Sequence, residues 1–245
     1  FHRRNAEAPP LYSDAELYRM TRTRAQLAIE KAAAGNYNIE ALIDKQQHDW
    51  KPWHDTLMCW TEYTFAACIE LGGLDYLDEC LKECYDSAFT FIYKSMEAFK
   101  SDKERLIALA QNWHYHMGAF RLEEEEDRFV FILDPCGSGG RIFREEMHKD
   151  MFHYNTDLAP ILQQPHNMTF QRKDFPTYCT HCASGNRDQF DGNPLVFVID
   201  GHAQMRRGMA CRQSVWKKDA PRRVEQSLLD QVGMEELIPI KPVDP

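Results

Sequence analysis

Arg128-Phe129-Val130-Phe131-Ile132-Leu133 runs directly into Asp134-Pro135-Cys136-Gly137-Ser138-Gly139-Gly140-Arg141, and the fold class turns on that junction. The first six residues are rich in aromatic and β-branched side chains and carry no helical spacing, so they predict a strand. The octet that follows predicts a tight loop. Just upstream, Phe120 and Leu122 alternate with polar residues, and Glu123 to Asp127 interrupts them. That pattern predicts a hairpin whose consecutive glutamates form an exposed acidic turn rather than a metal cluster.

Everything before the hairpin has helical spacing. Ser13-Asp14-Ala15-Glu16 is a capping box, followed by Leu17, Met20, Arg24, Leu27 and Lys31 as far as Gly35. A shorter helix is expected over 39–48. Pro52 suits the first turn of the next one, which runs through Met58, Phe65 and Ile69 to Gly72-Gly73. Leu74, Leu77, Leu81, Cys84, Ala88, Phe91, Ser95 and Phe99 continue the pattern, and Ser101-Asp102-Lys103-Glu104 caps a last helix ending near Gly118.

After the junction, residues 134–193 read as irregular, with strands at 194–199 and 211–217 and a short helix over 224–232. The expectation is an α+β fold, in which an N-terminal helical bundle packs on a small antiparallel sheet with a Cys/His metal-binding region. It forms a single domain over 1–245, with a helical half at 12–118 and a mixed half at 119–245.

Composition narrows the function classes. Of 245 residues, 43% are apolar and 27% charged, which suits a packed core rather than disorder. A net charge of -9 argues against a nucleic-acid surface, which needs clustered Lys and Arg. The pairs Arg206–Arg207, Lys217–Lys218 and Arg222–Arg223 read as a solvated face. No apolar run reaches the about 20 residues that a membrane helix needs. The opening Phe1-His2-Arg3-Arg4 shows no apolar signal-peptide core, so no membrane partner and a cytoplasmic location are expected.

The eight cysteines split into two sets. Cys59, Cys68, Cys80 and Cys84 sit in helical runs as small hydrophobes, whereas Cys136, Cys179, Cys182 and Cys211 sit among turn residues. That division favours reduced thiols and a metal site over a disulfide framework. In Tyr178-Cys179-Thr180-His181-Cys182 the C-x-x-C spacing lets two thiolates share one ion. With Cys136 and the upstream His166 they make a Cys3His set suited to zinc, with iron as the alternative. Cys211 is a further candidate. A redox C-x-x-C competes, but such a pair opens a helix after a strand, and an irregular segment precedes this one.

Gly137, Ser138 and Gly139 can turn backbone N–H groups toward an anion, and Arg141 can grip a carboxylate or phosphate through two parallel hydrogen bonds. The plainer alternative is a glycine turn with Arg141 paired to a surface acid. His54, Asp55 and His116 are the candidate catalytic pocket, a general base with its orienting partner, and each is weighed against a structural hydrogen-bonded role. Cys136 is also a candidate nucleophile, a role that excludes its being a metal ligand. Trp53 and Trp60 are candidates either for core or for a homodimer face.

The helical front half, the Arg-Phe-Val-Phe-Ile strand, the Pro-Cys loop, the later Cys pair and the final strand entered through Cys211 resemble two groups. These are the 2-aminothiazoline-4-carboxylate hydrolase-like proteins and the four-vinyl reductase-type small-molecule-binding domains. The chain looks closer still to bacterial proteins carrying Asp-Pro-Cys-Gly-Ser-Gly-Gly-Arg followed by Tyr-Cys-x-His-Cys, with a His where His166 lies and a His-Asp pair like His54-Asp55. The resemblance implies a metal-dependent hydrolase cleaving a C–N bond of a small anionic molecule, or a sensor or carrier with a structural zinc. The glycine octet also looks like the S-adenosylmethionine loop of some nucleic-acid methyltransferases, which is the third reading.

Overall fold

The computed structural model describes residues 24–35, 38–143, 161–189, 192–200 and 210–237, together with Ser13 and Ala15. Two compact units divide the chain, Phe1–Pro52 and Trp53–Pro245. The first holds helix α1 (Arg24–Ala33) and the start of helix α2 (Ile39–Cys84). The predicted capping box at Ser13 has its Asp14 and Glu16 outside the described residues, as are Arg206 and Arg207.

In the second unit, α2 carries a buried stripe of His54, Asp55, Met58, Glu62 and Phe65, while Trp53 and Trp60 on its other side are exposed. They are therefore not core. The helix breaks at Gly73, whose φ of 78° and ψ of -170° suit a residue without Cβ. A π-helical turn (Tyr85–Phe89), helix α3 (Thr90–Glu97) and helix α4 (Asp102–Tyr115) follow. The second capping box forms as its sequence predicts, Ser101 Oγ accepting from the Glu104 N–H at 3.3 Å and Glu104 accepting from the Ser101 N–H at 3.1 Å. Among the described residues no helix is long and apolar enough to cross a membrane.

The predicted hairpin is strands β1 (Phe120–Glu124) and β2 (Arg128–Leu133). With β5 (Val196–Asp200) and β6 (Cys211–Trp216) it builds an antiparallel sheet of order β1-β2-β6-β5. The chain is thus α+β with a four-stranded antiparallel sheet. In the central strands β2 and β6, residues of both parities are buried. Such a strand needs no polar alternation, which is why the stretch reads as an unbroken apolar run. Phe131, Val196 and Val215 pack with Met96 of α3 and Leu109 of α4 in one cluster. Leu133, Phe197, Cys211 and Trp216 pack in another with Phe170, Phe175, Cys179 and Ala183.

The stretch read as irregular contains more order than its composition suggests. It holds helix α5 (Gly139–Phe143), the two-residue strands β3 (Ile161–Leu162) and β4 (Phe175–Pro176), and helix α6 (Thr180–Asp188). Polar side chains hold α6 in place. Asn186 accepts from the Val198 N–H at 2.9 Å and donates to the Val198 carbonyl at 3.2 Å, standing in for a neighbouring strand. Helix α7 (Gln226–Gln231) closes the described chain, shorter than the expected 224–232.

Phe131 is fully buried in the cluster that joins α3 and α4 to the sheet. Phe131→Ala is expected to cost about 3–5 kcal/mol, from lost transfer energy plus the cavity left behind. Urea unfolding checks it, with a lower midpoint at unchanged slope as the expected result.

Candidate functional site

The glycine loop between β2 and α5 lies against the end of α4 and the start of α6, and glycine is what allows both approaches. A Cβ on Gly137 would stand 1.6 Å from the His116 carbonyl oxygen and 2.3 Å from the Gly118 nitrogen. A Cβ on Gly139 would stand 2.4 Å from Cys179 Sγ. The loop is entered through a cis Asp134–Pro135 peptide.

Three of the four loop residues proposed to bind substrate flank Ser138 or pair with Asp55. Arg141 is buried and grips Asp55 with both terminal nitrogens, Nη1 to Oδ1 at 3.0 Å and Nη2 to Oδ2 at 3.0 Å, and Nη1 also donates to the Gly137 carbonyl at 3.2 Å. The predicted bidentate geometry is present. Its carboxylate is the chain's own, so an anionic substrate reaching Arg141 would have to displace Asp55.

Asp55 in turn orients His54. The His54 Nδ1 lies 3.0 Å from Asp55 Oδ1. An ionised carboxylate only accepts, so Nδ1 carries the proton and Nε2 presents a lone pair. That nitrogen faces Ser138 Oγ at 3.4 Å, and His116 Nδ1 lies 3.2 Å from the same oxygen. The buried Tyr178 side chain also interacts with Ser138. The structure therefore brings His54, Asp55 and His116 together, as the sequence reading expects, and adds Ser138 as the hydroxyl on which they converge. Burial, followed by the charges of His54 and His181, lowers His116 to about 4, so it is neutral at physiological pH.

The thiols form the neighbouring wall. The backbone amides of Ser138, Gly139 and Gly140 favour ionisation of Cys136, less strongly than burial opposes it. Burial raises Cys136, Cys179 and Cys182 above the usual thiol range, and the charge of Cys136 adds to the rise at both of the others. Cys179 stands at the head of α6, with Cys182 in its first turn. The C-x-x-C pair thus does open a helix, preceded by β4 and a 3-10 turn over Thr177–Cys179. The His181 Nδ1 lies 2.5 Å from the Tyr178 carbonyl and so holds the proton, while Nε2 faces Cys182 Sγ at 3.6 Å.

His166 is engaged with other partners. Its Nδ1 accepts from the Met168 N–H at 3.2 Å and caps a 3-10 turn, while its Nε2 lies 3.0 Å from Asp75 Oδ1, so both ring nitrogens are engaged. Among the described residues no group of three or more His, Cys, Asp or Glu is placed to hold a metal ion.

Tyr178 and His181 lie inside a motif that stood out for its cysteines alone. Glu62 escaped notice altogether. It is wholly buried, and among the described residues neither carboxyl oxygen has a hydrogen-bond partner. Burial pushes it well above the usual carboxylate range. The available signal was its place in the stripe Asp55, Met58, Glu62, Phe65, where an acid recurs among apolar residues at core spacing.

Two stability outcomes follow from these burials. Arg141→Gln leaves the Asp55 carboxylate buried without its cation and is expected to cost about 3–5 kcal/mol, read by chemical denaturation. Glu62→Gln should act oppositely. The fold keeps Glu62 protonated, whereas the unfolded chain releases that proton above 4.5, so its contribution is lost as pH rises beyond that value. The variant is expected to be more stable than the parent at pH 7, and the difference is expected to vanish at pH 4. Paired denaturation curves at the two pH values decide it.

No family model, no curated protein and no solved structure matches this chain.

Proposed function

We propose that the chain is an enzyme that hydrolyses a C–N bond of a small molecule, with Ser138 as nucleophile and His54 as general base. The observation that carries this reading is the buried relay from Asp55 through His54 to Ser138 Oγ, at 3.0 and 3.4 Å. The second distance is long for a hydrogen bond to a base, and such contacts tighten when substrate binds. The reaction class comes from the resemblance to 2-aminothiazoline-4-carboxylate hydrolase-like proteins.

In this mechanism His54 Nε2 takes the Ser138 hydroxyl proton as Oγ bonds to the electrophilic carbon. The imidazolium returns that proton to the leaving nitrogen as the C–N bond breaks. Water, deprotonated by the same nitrogen, then releases the product and restores Ser138. Asp55 holds the required tautomer and stabilises the transient cation, and Arg141 holds Asp55. His116 and Tyr178 fix the Ser138 oxygen. A partly exposed wall of Cys136, His181 and Cys182 faces the entering molecule.

A second reading is favoured by the backbone amides of Ser138, Gly139 and Gly140, which favour the thiolate form of Cys136. Here Cys136, Cys179 and Cys182 close around zinc, or iron, leaving His166 out. Three protein ligands keep a coordination position open, as catalytic zinc sites do.

A fluorophosphonate probe, which phosphonylates activated serines, tests the first reading on the full chain. Labelling located at Ser138 by mass spectrometry, abolished in Ser138→Ala and slowed about 100-fold or more in His54→Ala, is the expected result. Folded protein that leaves Ser138 unlabelled overturns it. Elemental analysis showing about one zinc or iron per chain, lost in Cys179→Ser but retained in His166→Ala, would establish the second reading.

A further inference from the structure

From Trp53 to Ile69 the two faces of α2 invert the usual arrangement of a helix on a domain surface. Both charged residues of the stretch, Asp55 and Glu62, are buried, while the outward face is uncharged. On that face Trp53, Leu57, Trp60, Thr64, Ala67 and Leu71 recur at alternating intervals of four and three, the spacing of a coiled-coil seam. Trp53 is 68% exposed, Leu57 52%, Trp60 70% and Leu71 79%, so the seam lies open. Pro52 precedes it and the break at Gly73 follows it, which limits it to about 27 Å of helix. Its polar member is already satisfied. Thr64 Oγ1 donates to the Trp60 carbonyl at 2.8 Å, and the adjacent Thr61 donates to the Leu57 carbonyl at 2.9 Å. Covering the seam would therefore strand neither hydroxyl proton.

We propose that this face pairs with the same face of a second copy of the chain, the two α2 segments running antiparallel across a two-fold axis. The order of side-chain sizes favours that register. About an axis beside position 62, Trp53 meets the partner's Leu71, Leu57 the partner's Ala67 and Trp60 the partner's Thr64. Each large side chain then faces a smaller one, as a knob enters a hole, and the two-fold repeats every contact. A parallel pair would set Trp60 against Trp60 and Ala67 against Ala67, crowding one level and emptying another. Area points the same way. At about 200 Å² for a whole aromatic side chain, the exposed parts of Trp53, Trp60 and Tyr63 offer roughly 350 Å² per copy. The rings of two copies thus bury roughly 700 Å², and Leu57, Ala67 and Leu71 carry the total past the about 1,000 Å² of a specific interface. Charge fits as well. Two chains that each carry a net charge of -9 repel, and an uncharged face lets them meet without opposing like charges. The seam lies opposite the stripe that carries His54 and Asp55, so the pairing does not rest on the proposed hydrolysis.

Sedimentation equilibrium of the full chain tests the pairing. The expected result is a species of twice the 28.7 kDa chain mass. Trp60→Glu is expected to raise the dimer dissociation constant about 100-fold or more while keeping the parent's far-ultraviolet circular dichroism. Leu57→Glu alone is expected to dissociate the pair, and Leu57→Glu combined with Ala67→Lys to restore it, since each new carboxylate then meets the partner's new ammonium. Failure of that restoration overturns the antiparallel register. A folded parent chain that stays monomeric at hundreds of micromolar overturns the proposal, and flotation of that monomer with phosphatidylcholine vesicles would assign the face to a lipid surface instead. A dimer that survives Trp60→Glu overturns it too, because another face then holds the copies together.

Discussion

The pairing of Arg141 with Asp55 joins two segments that are distant in sequence, the α2 stripe and the turn that opens α5. Both partners are buried, so each removes the other's reason to stay in water. Taken singly, either charge would destabilise the fold by several kcal/mol, whereas the bidentate pair meets most of the hydrogen-bonding capacity of both. Such pairs contribute less to net stability than to specificity. With Asp55 Oδ1 held by Arg141 Nη1, the His54 ring has one favourable tautomer and one orientation. The placement of Ser138 against His54 follows from that constraint.

Backbone proximity supplies the rest. Gly137 lets the loop rest on the last turn of α4, and this contact brings Ser138 to His116. Gly139 lets Cys179 approach the loop from the other side. A side chain at either position would separate α4, the loop and α6, and the convergence of His54, His116 and Tyr178 on one hydroxyl would be lost. Gly137 and Gly139 thus serve packing.

The legible parts of the fold were those with a local cause. The β2 run, the Ser101 capping box and the change of period at Phe120 each follow from neighbouring residues, and each matches an observed element. Helix α6 was not legible, because Thr180-His181-Cys182-Ala183-Ser184-Gly185-Asn186 has low helix propensity and is held by tertiary bonds such as Asn186 to Val198. For the site, the residue types at His54, Asp55, His116 and Arg141 announced polar chemistry, but their partners are long-range. Nothing local says that Arg141 meets Asp55 rather than a substrate. His166 illustrates the opposite limit. Its spacing from the Cys pair suggested a ligand, while its actual partners are the adjacent Met168 amide and Asp75, a residue 91 positions earlier.

The ionisable groups around the site divide by how they tolerate burial. Asp55 and Arg141 form a buried bidentate ion pair. At Glu62, Cys136, Cys179 and Cys182 burial is the largest influence and drives them toward their neutral forms. His116 is neutral for the same reason. The site therefore sets one buried ion pair among acids and thiols that burial drives toward their neutral forms. A transient positive charge on His54 during proton transfer would arise beside the Asp55 carboxylate, with little water to screen it, and that is the setting in which a fixed carboxylate stabilises an imidazolium most strongly. Burial disfavours ionisation of Cys136 and Cys182, so on the proposed mechanism the thiols would not compete with Ser138 for the His54 base.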